Sequence, residues 1–169
     1  MQIMTNRSYA WILVLMVLCL VNAGCVQVGQ LRMILIPATI PLASEQVDAE
    51  AKRFHPQAGK ASIYVIREDI LTAHLALFQV SLDGKDQGKL ARGTYFLFTV
   101  QPGKHEVVFT GDMHKGNETI LAVEGGIYYL EIRPEVRMLA SYVNLLRIDE
   151  ERGRKMVLEG KHAEIKSAD

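Results

Sequence analysis

The sequence predicts a mostly β protein: an antiparallel β-sandwich of about seven or eight strands, with an N-terminal amphipathic helix and room for a short C-terminal helix. Three observations predict it. From residue 62 onward the apolar pattern repeats every second residue, in short runs rich in β-branched and aromatic side chains. Those runs are separated by turn residues at regular intervals. Before them lies a single segment with helical spacing, Ser44 to Pro56.

The strand runs are SIYVIR, LALFQVSLDG, GKLARG, TYFLFTV, KHEVVFT, ETILAVE, IYYLEIR and SYVNLLRI. Between them stand Asp83-Gly84, Arg92-Gly93, Gln101-Pro102-Gly103, Gly111-Asp112, Gly116-Asn117 and Gly125-Gly126. Many short strands with such punctuation are the pattern of a sandwich. TYFLFTV is apolar on both faces and belongs inside a sheet. In KHEVVFT, His105, Val107 and Phe109 alternate with Glu106, Val108 and Thr110, as on a half-exposed strand.

In SEQVDAEAKRFHP, Ser44 is placed to cap a helix. Glu45, Asp48 and Glu50 lie early and Lys52 and Arg53 late, which suits the helix dipole. Val47, Ala51 and Phe54 share one face, and Pro56 ends the segment. Asp149 can open a second helix with Met156 to Leu158 as its apolar part. Gly153 in its middle costs about 1 kcal/mol of propensity. Residues 159–169 read as a polar tail that frays beyond Gly160.

The first residues give an address. Tyr9 to Val21 is an uncharged apolar run of thirteen residues. At about 1.5 Å per residue it is too short for a bilayer core of roughly 30 Å. Arg7 precedes it, with no acidic residue, and small residues follow, as in an export signal. Leu20-Val21-Asn22-Ala23-Gly24-Cys25 resembles the lipobox of bacterial lipoproteins, with Asn22 where an aliphatic residue is usual. The resemblance implies that residues 1–24 are removed and that Cys25 carries the lipid. Residues 25–43 then form the lipidated N-terminus and a linker or edge segment, and residues 44–158 the sandwich domain.

The cysteines agree with that reading. They are Cys19 and Cys25, so cleavage and acylation leave no free thiol and no disulfide, consistent with an oxidising envelope compartment. The mature part has 169 − 24 = 145 residues, one domain in size. Losing Arg7 takes the balance from 19 basic and 19 acidic groups to 18 − 19 = −1. A near-neutral domain carries no electrostatic footprint for nucleic acid.

An ordered set of motifs lies along the domain. It runs Gly59-Lys60-Ala61-Ser62-Ile63-Tyr64-Val65-Ile66-Arg67, Asp83-Gly84 with Gly88, Tyr95-Phe96, Pro102-Gly103-Lys104-His105, and Gly125-Gly126-Ile127-Tyr128-Tyr129. It resembles a bacterial lipoprotein domain family of unknown function whose members read PGKA-x-IYV-x-R, DG-x-x-x-G, Y-F, PG-x-H and G-x-x-YY. The resemblance covers roughly residues 44–158. It implies fold and envelope location, and no catalytic residues.

Chemistry-bearing residues are scattered. The histidines are His55, His74, His105, His114 and His162, none in a His-Glu-x-x-His arrangement. His105 and His114 with Asp112 are the weak candidates for a surface metal site; a solvated turn histidine, or one bonded to its own turn, is the plainer reading. No Gly-x-Ser-x-Gly elbow occurs, and Gly84 to Gly88 reads as a hairpin turn rather than a phosphate loop. Tyr128 and Tyr129 point to opposite faces, one toward the core and one toward a surface near Tyr64, Tyr95 or Tyr142. That surface could grip a sugar or peptide. Glu131 and Arg133 lie on one strand face, where a cross-strand ion pair is expected.

The expectation is therefore a non-enzymatic, membrane-tethered envelope lipoprotein without cofactor, acting as a binding or scaffolding module. In a Gram-negative host, Val26 after Cys25, rather than Asp, favours the outer membrane, facing the periplasm. Its partner is the bilayer, through acylated Cys25; the apolar residues 33–42 read first as an edge strand or core wrap, and second as an exposed patch meeting an envelope protein. The rival functions are an envelope hydrolase, which needs converging acid, base or metal groups, and a small-ligand or metal-binding lipoprotein, which needs a cavity.

Overall fold

The computed structural model describes residues 40–70, 76–137 and 140–166. The leader, Cys25, the apolar residues 33–39 and His74 lie outside the described residues. Two sheets form a sandwich. The first holds β1 (Ala61–Arg67), β4 (Thr94–Val100), β7 (Ile127–Arg137), β8 (Ala140–Ile148) and β9 (Lys161–His162), in the order β8-β7-β1-β4-β9. The second holds β2 (Phe78–Leu82), β3 (Lys85–Leu90), β5 (Gly103–Thr110) and β6 (Lys115–Ala122), in the order β3-β2-β5-β6.

The second sheet is antiparallel throughout, and the first is mixed. β1 runs antiparallel to β4, with Ile63 opposite Phe98, and parallel to β7, with Ile63 opposite Tyr128. β9 lies parallel to β4. Alternation of side chains marks a strand but says nothing of its neighbour's direction, which the connections set. The Asp83-Gly84 turn has φ of 51° and 78°, the left-handed pair that a two-residue hairpin uses to match strand twist.

Between the sheets, Ile63, Val65, Phe96, Phe98, Leu130 and Ile132 meet Phe78, Val80, Val107, Phe109 and Ile120. The other face of the first sheet is covered as well. There Tyr64, Ile66, Tyr95 and Tyr129 pack under α1 (Glu45–Ala51) and α2 (Glu150–Glu159), against Phe54, Met156 and Val157. β1 is buried at every position because both its faces are covered, which is why ASIYVIR reads as a near-continuous apolar run.

Both helices start at the expected caps. Val47 N–H donates to Ser44 Oγ at 3.4 Å, and Arg152 N–H donates to Asp149 Oδ1 at 2.8 Å. Ala51 and Phe54 are buried, whereas Val47, expected on the same face, is 48% exposed. The helix stops at Ala51, and Phe54 reaches the core from beyond its end at a positive φ of 57°.

Two expectations are corrected. The chain after Gly160 does not fray within the described residues: Lys161 and His162 pair with β4, and Ala163 bridges to Leu42. Burying His162 and Ala163 accounts for this order, despite the polar composition around them. Tyr128 and Tyr129 do point to opposite faces, but both are buried, one between the sheets and one under the helices. The surface expected near Tyr129 is taken by α2.

Candidate functional site

The weak metal candidates do not converge. His105 opens β5, where it lies opposite Ile120, while His114 and Asp112 sit beyond the far end of the same strand. About 15 Å of strand separates the two places. His114 is held through its backbone, its carbonyl accepting from Gly111 N–H at 2.7 Å. Among the described residues, no group of three His, Cys, Asp or Glu side chains is arranged to hold a metal ion.

His105 instead ties two turns together. Its Nδ1 lies 2.7 Å from Asp83 Oδ2, and its Nε2 lies 2.8 Å from the Gln101 carbonyl. Both partners are acceptors, so both ring nitrogens must donate, and the ring is cationic when both bonds are made. Burial opposes that charge but is outweighed by the bonds to Asp83 and Gln101, which raise the pKa above its usual 6.5. Asp83 Oδ1 also accepts from Glu106 N–H at 2.8 Å. The histidine of the Pro-Gly-x-His motif thus clamps the β2–β3 turn and the β4–β5 turn to the start of β5.

A second polar group lies between α1 and the first sheet. Asp48 Oδ1 accepts from Tyr95 O–H at 2.8 Å and from His162 N–H at 2.9 Å. Lys52 donates to Asp48 Oδ2 and to the Gly160 carbonyl, each at 2.8 Å. The His162 ring stacks on Tyr95 with centroids 5.0 Å apart, and Leu97 N–H donates to His162 Nε2 at 3.3 Å. Nε2 is then an acceptor, which places the proton of the neutral ring on Nδ1. Burial lowers the His162 pKa against the pull of Asp48. A shallow groove of about 210 Å³ runs beside this group, lined in part by His55, Gln57, Ser62, Thr99 and His162.

The third group centres on Glu131, which is 0% exposed. Arg133 of the same strand donates Nε to Oε1 at 2.9 Å and also bonds Oε2. Arg152 of α2 donates to both oxygens, at 3.1 and 3.2 Å, and reaches Glu68 at 3.3 Å. The expected pair across strands is therefore a pair along one strand, completed by a helix. Burial pushes the Glu131 carboxyl up, but the two guanidinium groups outweigh it and hold the pKa below its usual value. With both oxygens engaged, Glu131 is a structural anion rather than a proton donor near neutral pH.

Sequence reasoning missed Asp48 and His162. Asp48 stands four residues before Lys52, a spacing that reads as a surface pair. His162 lies in the stretch read as a tail. Neither position carried a local signal of burial.

The architecture defines the class: a two-sheet β-sandwich with one outer face roofed by two short helices, and with the buried Glu131 held by two arginines. Residues 57–158 match the family described as protein of unknown function (DUF2846), and the chain belongs to that family. The match runs from before β1 to the last turn of α2. It leaves out α1 and β9, which carry Asp48 and His162. No curated protein matches the chain.

Proposed function

We propose that the chain is a membrane-tethered lipoprotein of the bacterial envelope, its β-sandwich acting as a non-enzymatic binding or scaffolding module. One observation carries the reading: an uncharged run of thirteen residues ends in Asn22-Ala23-Gly24-Cys25. The Cys25 side chain supplies a thiol for acylation, and cleavage before Cys25 removes the leader and frees the α-amino group. Each buried methylene contributes about 0.8 kcal/mol, so two or more chains anchor a protein stably. Val26 supports the outer membrane; of the apolar residues 33–42, Ile40 packs in the core, which leaves the part before it to meet an envelope partner.

The bonding of the body's polar groups supports a non-enzymatic module. His105 is bonded between two turns, Asp48 to Tyr95 and Lys52, and Glu131 within a buried ion cluster. The physical gain is concentration: a lipid anchor confines the folded domain to a thin layer, which raises its encounter rate with other envelope components. Cys25→Ser expressed in a bacterial host fed labelled fatty acid tests the assignment. Loss of label together with release from the membrane fraction is expected; membrane retention without label in either form overturns it.

A further inference from the structure

Residues 41–43 lie alongside β9 at the edge of the first sheet. Leu42 pairs antiparallel with Ala163, Ala43 N–H donates to the His162 carbonyl, and Glu164 N–H donates to the Pro41 carbonyl. β9 runs parallel to β4. Traced backward from Ala43 to Ile40, the chain therefore heads toward the end of the sandwich where β4 finishes at Val100. Cys25 lies fifteen residues before Ile40, a reach of at most about 50 Å.

That end of the sandwich has its own surface. β1 begins there, with Ala61 opposite Val100, and β5 and β6 meet there, with Gly103 opposite Ala122. Leu121 and Val123, on one face of the chain, are 72% and 57% exposed. Lys104 is the register partner of Leu121, and Gly125 N–H donates to the Lys60 carbonyl. Two exposed apolar side chains, with Lys104 opposite Leu121 and Glu124 next to Val123, stand at the end toward which residues 43 to 40 run, and suit a bilayer interface. Apolar groups there enter the acyl boundary while ammonium groups stay at the headgroups.

We propose that this end, with Leu121 and Val123 at its tip and Lys104 and Lys60 beside them, rests on the bilayer surface and fixes the orientation of the tethered domain. The proposal rests on the lipoprotein reading. The opposite end of the sandwich, where Met113 is 87% exposed in the β5–β6 turn, then faces away from the membrane.

The test uses the full chain, produced and processed in a bacterial host and reconstituted into vesicles of phosphatidylethanolamine and phosphatidylglycerol with brominated acyl chains. Once Cys25 is acylated and Cys19 removed, Val123→Cys, Leu121→Cys and Met113→Cys each offer one thiol for an environment-sensitive dye. Emission is expected to be lost at 121 and 123 and kept at 113. An acylated protein quenched equally at both ends, at 113 alone, or at neither end overturns the orientation while leaving the anchor in place. Absence of acyl mass on Cys25 overturns the anchor and the orientation together.

Discussion

Gly153 of α2 lies directly against the ring of Tyr129: a β-carbon at position 153 would stand 2.3 Å from Tyr129 Cγ. The glycine that weakens the helix in sequence terms is what lets the helix settle on the sheet. Gly153→Ala removes a propensity penalty of about 1 kcal/mol. It also forces apart a packed contact, at a cost of about 1–3 kcal/mol. A lower melting temperature is expected by circular dichroism, and a higher one would show that α2 does not approach the sheet so closely.

Glu131 holds two guanidinium groups at the edge of the same contact. Glu131→Gln removes the charge and leaves Arg133 and Arg152 bonded to an amide. The loss expected in chemical unfolding is about 3 kcal/mol, the low end for breaking a buried pair, because both arginines keep some solvent. The folded pKa lies below the ordinary 4.5. The stabilisation is therefore complete above that value and lost as pH falls through the depressed one. Replacing Glu131 should flatten the acid limb of the stability curve.

His162 and His105 have opposite linkage. The folded pKa of His162 is depressed from 6.5, so its contribution is present above about 6.5 and lost as the pH drops below, where the unfolded chain takes up a proton first. His162→Phe keeps a ring against Tyr95 but leaves Leu97 N–H without its acceptor. A loss of about 1 kcal/mol is expected at pH 7.5, with a weaker decline between pH 6.5 and 5 than in the parent protein. An unchanged decline would place the acid sensitivity elsewhere.

For His105 the folded value is raised, so its contribution is present below pH 6.5 and lost as pH rises through the folded pKa. Asp83→Asn removes the negative charge and one of the two oxygens with which Asp83 accepts from His105 and Glu106 N–H. The His105 pKa, read from the ring-proton shifts in NMR titration, should fall. Since Asp83 is partly exposed, the change in stability should stay below about 1 kcal/mol. A His105 titration unmoved by Asp83→Asn would mean that the clamp is absent in solution.

Much of this architecture was legible in the sequence where local rules act alone. Ser44 and Asp149 cap the two helices, Asp83-Gly84 makes the hairpin, and the period of two in KHEVVFT puts Val107 and Phe109 in the core. The failures came where a distant segment supplied the reason. Tyr129 and Tyr64 are buried because helices from both ends of the domain roof that face, and no period within IYYLEIR or SIYVIR encodes a roof. Lys161 and His162 became a strand because β4 offered an unpaired edge. Parallel pairing of β1 with β7 spans sixty-odd residues of chain, beyond any local signal. The polar site was legible only in part: Glu131 with Arg133 was visible as neighbours, while Arg152, Asp48 and His162 became partners through packing.

The central claim concerns the other end of the chain, and the mass of the mature N-terminal peptide tests it most directly. Protein extracted from bacterial membranes, digested and weighed, should yield a first peptide beginning at Cys25 and heavier than its sequence by the mass of covalently bound acyl chains. A first peptide that retains residues from the apolar run, or one beginning at Cys25 with no added mass, would contradict the account.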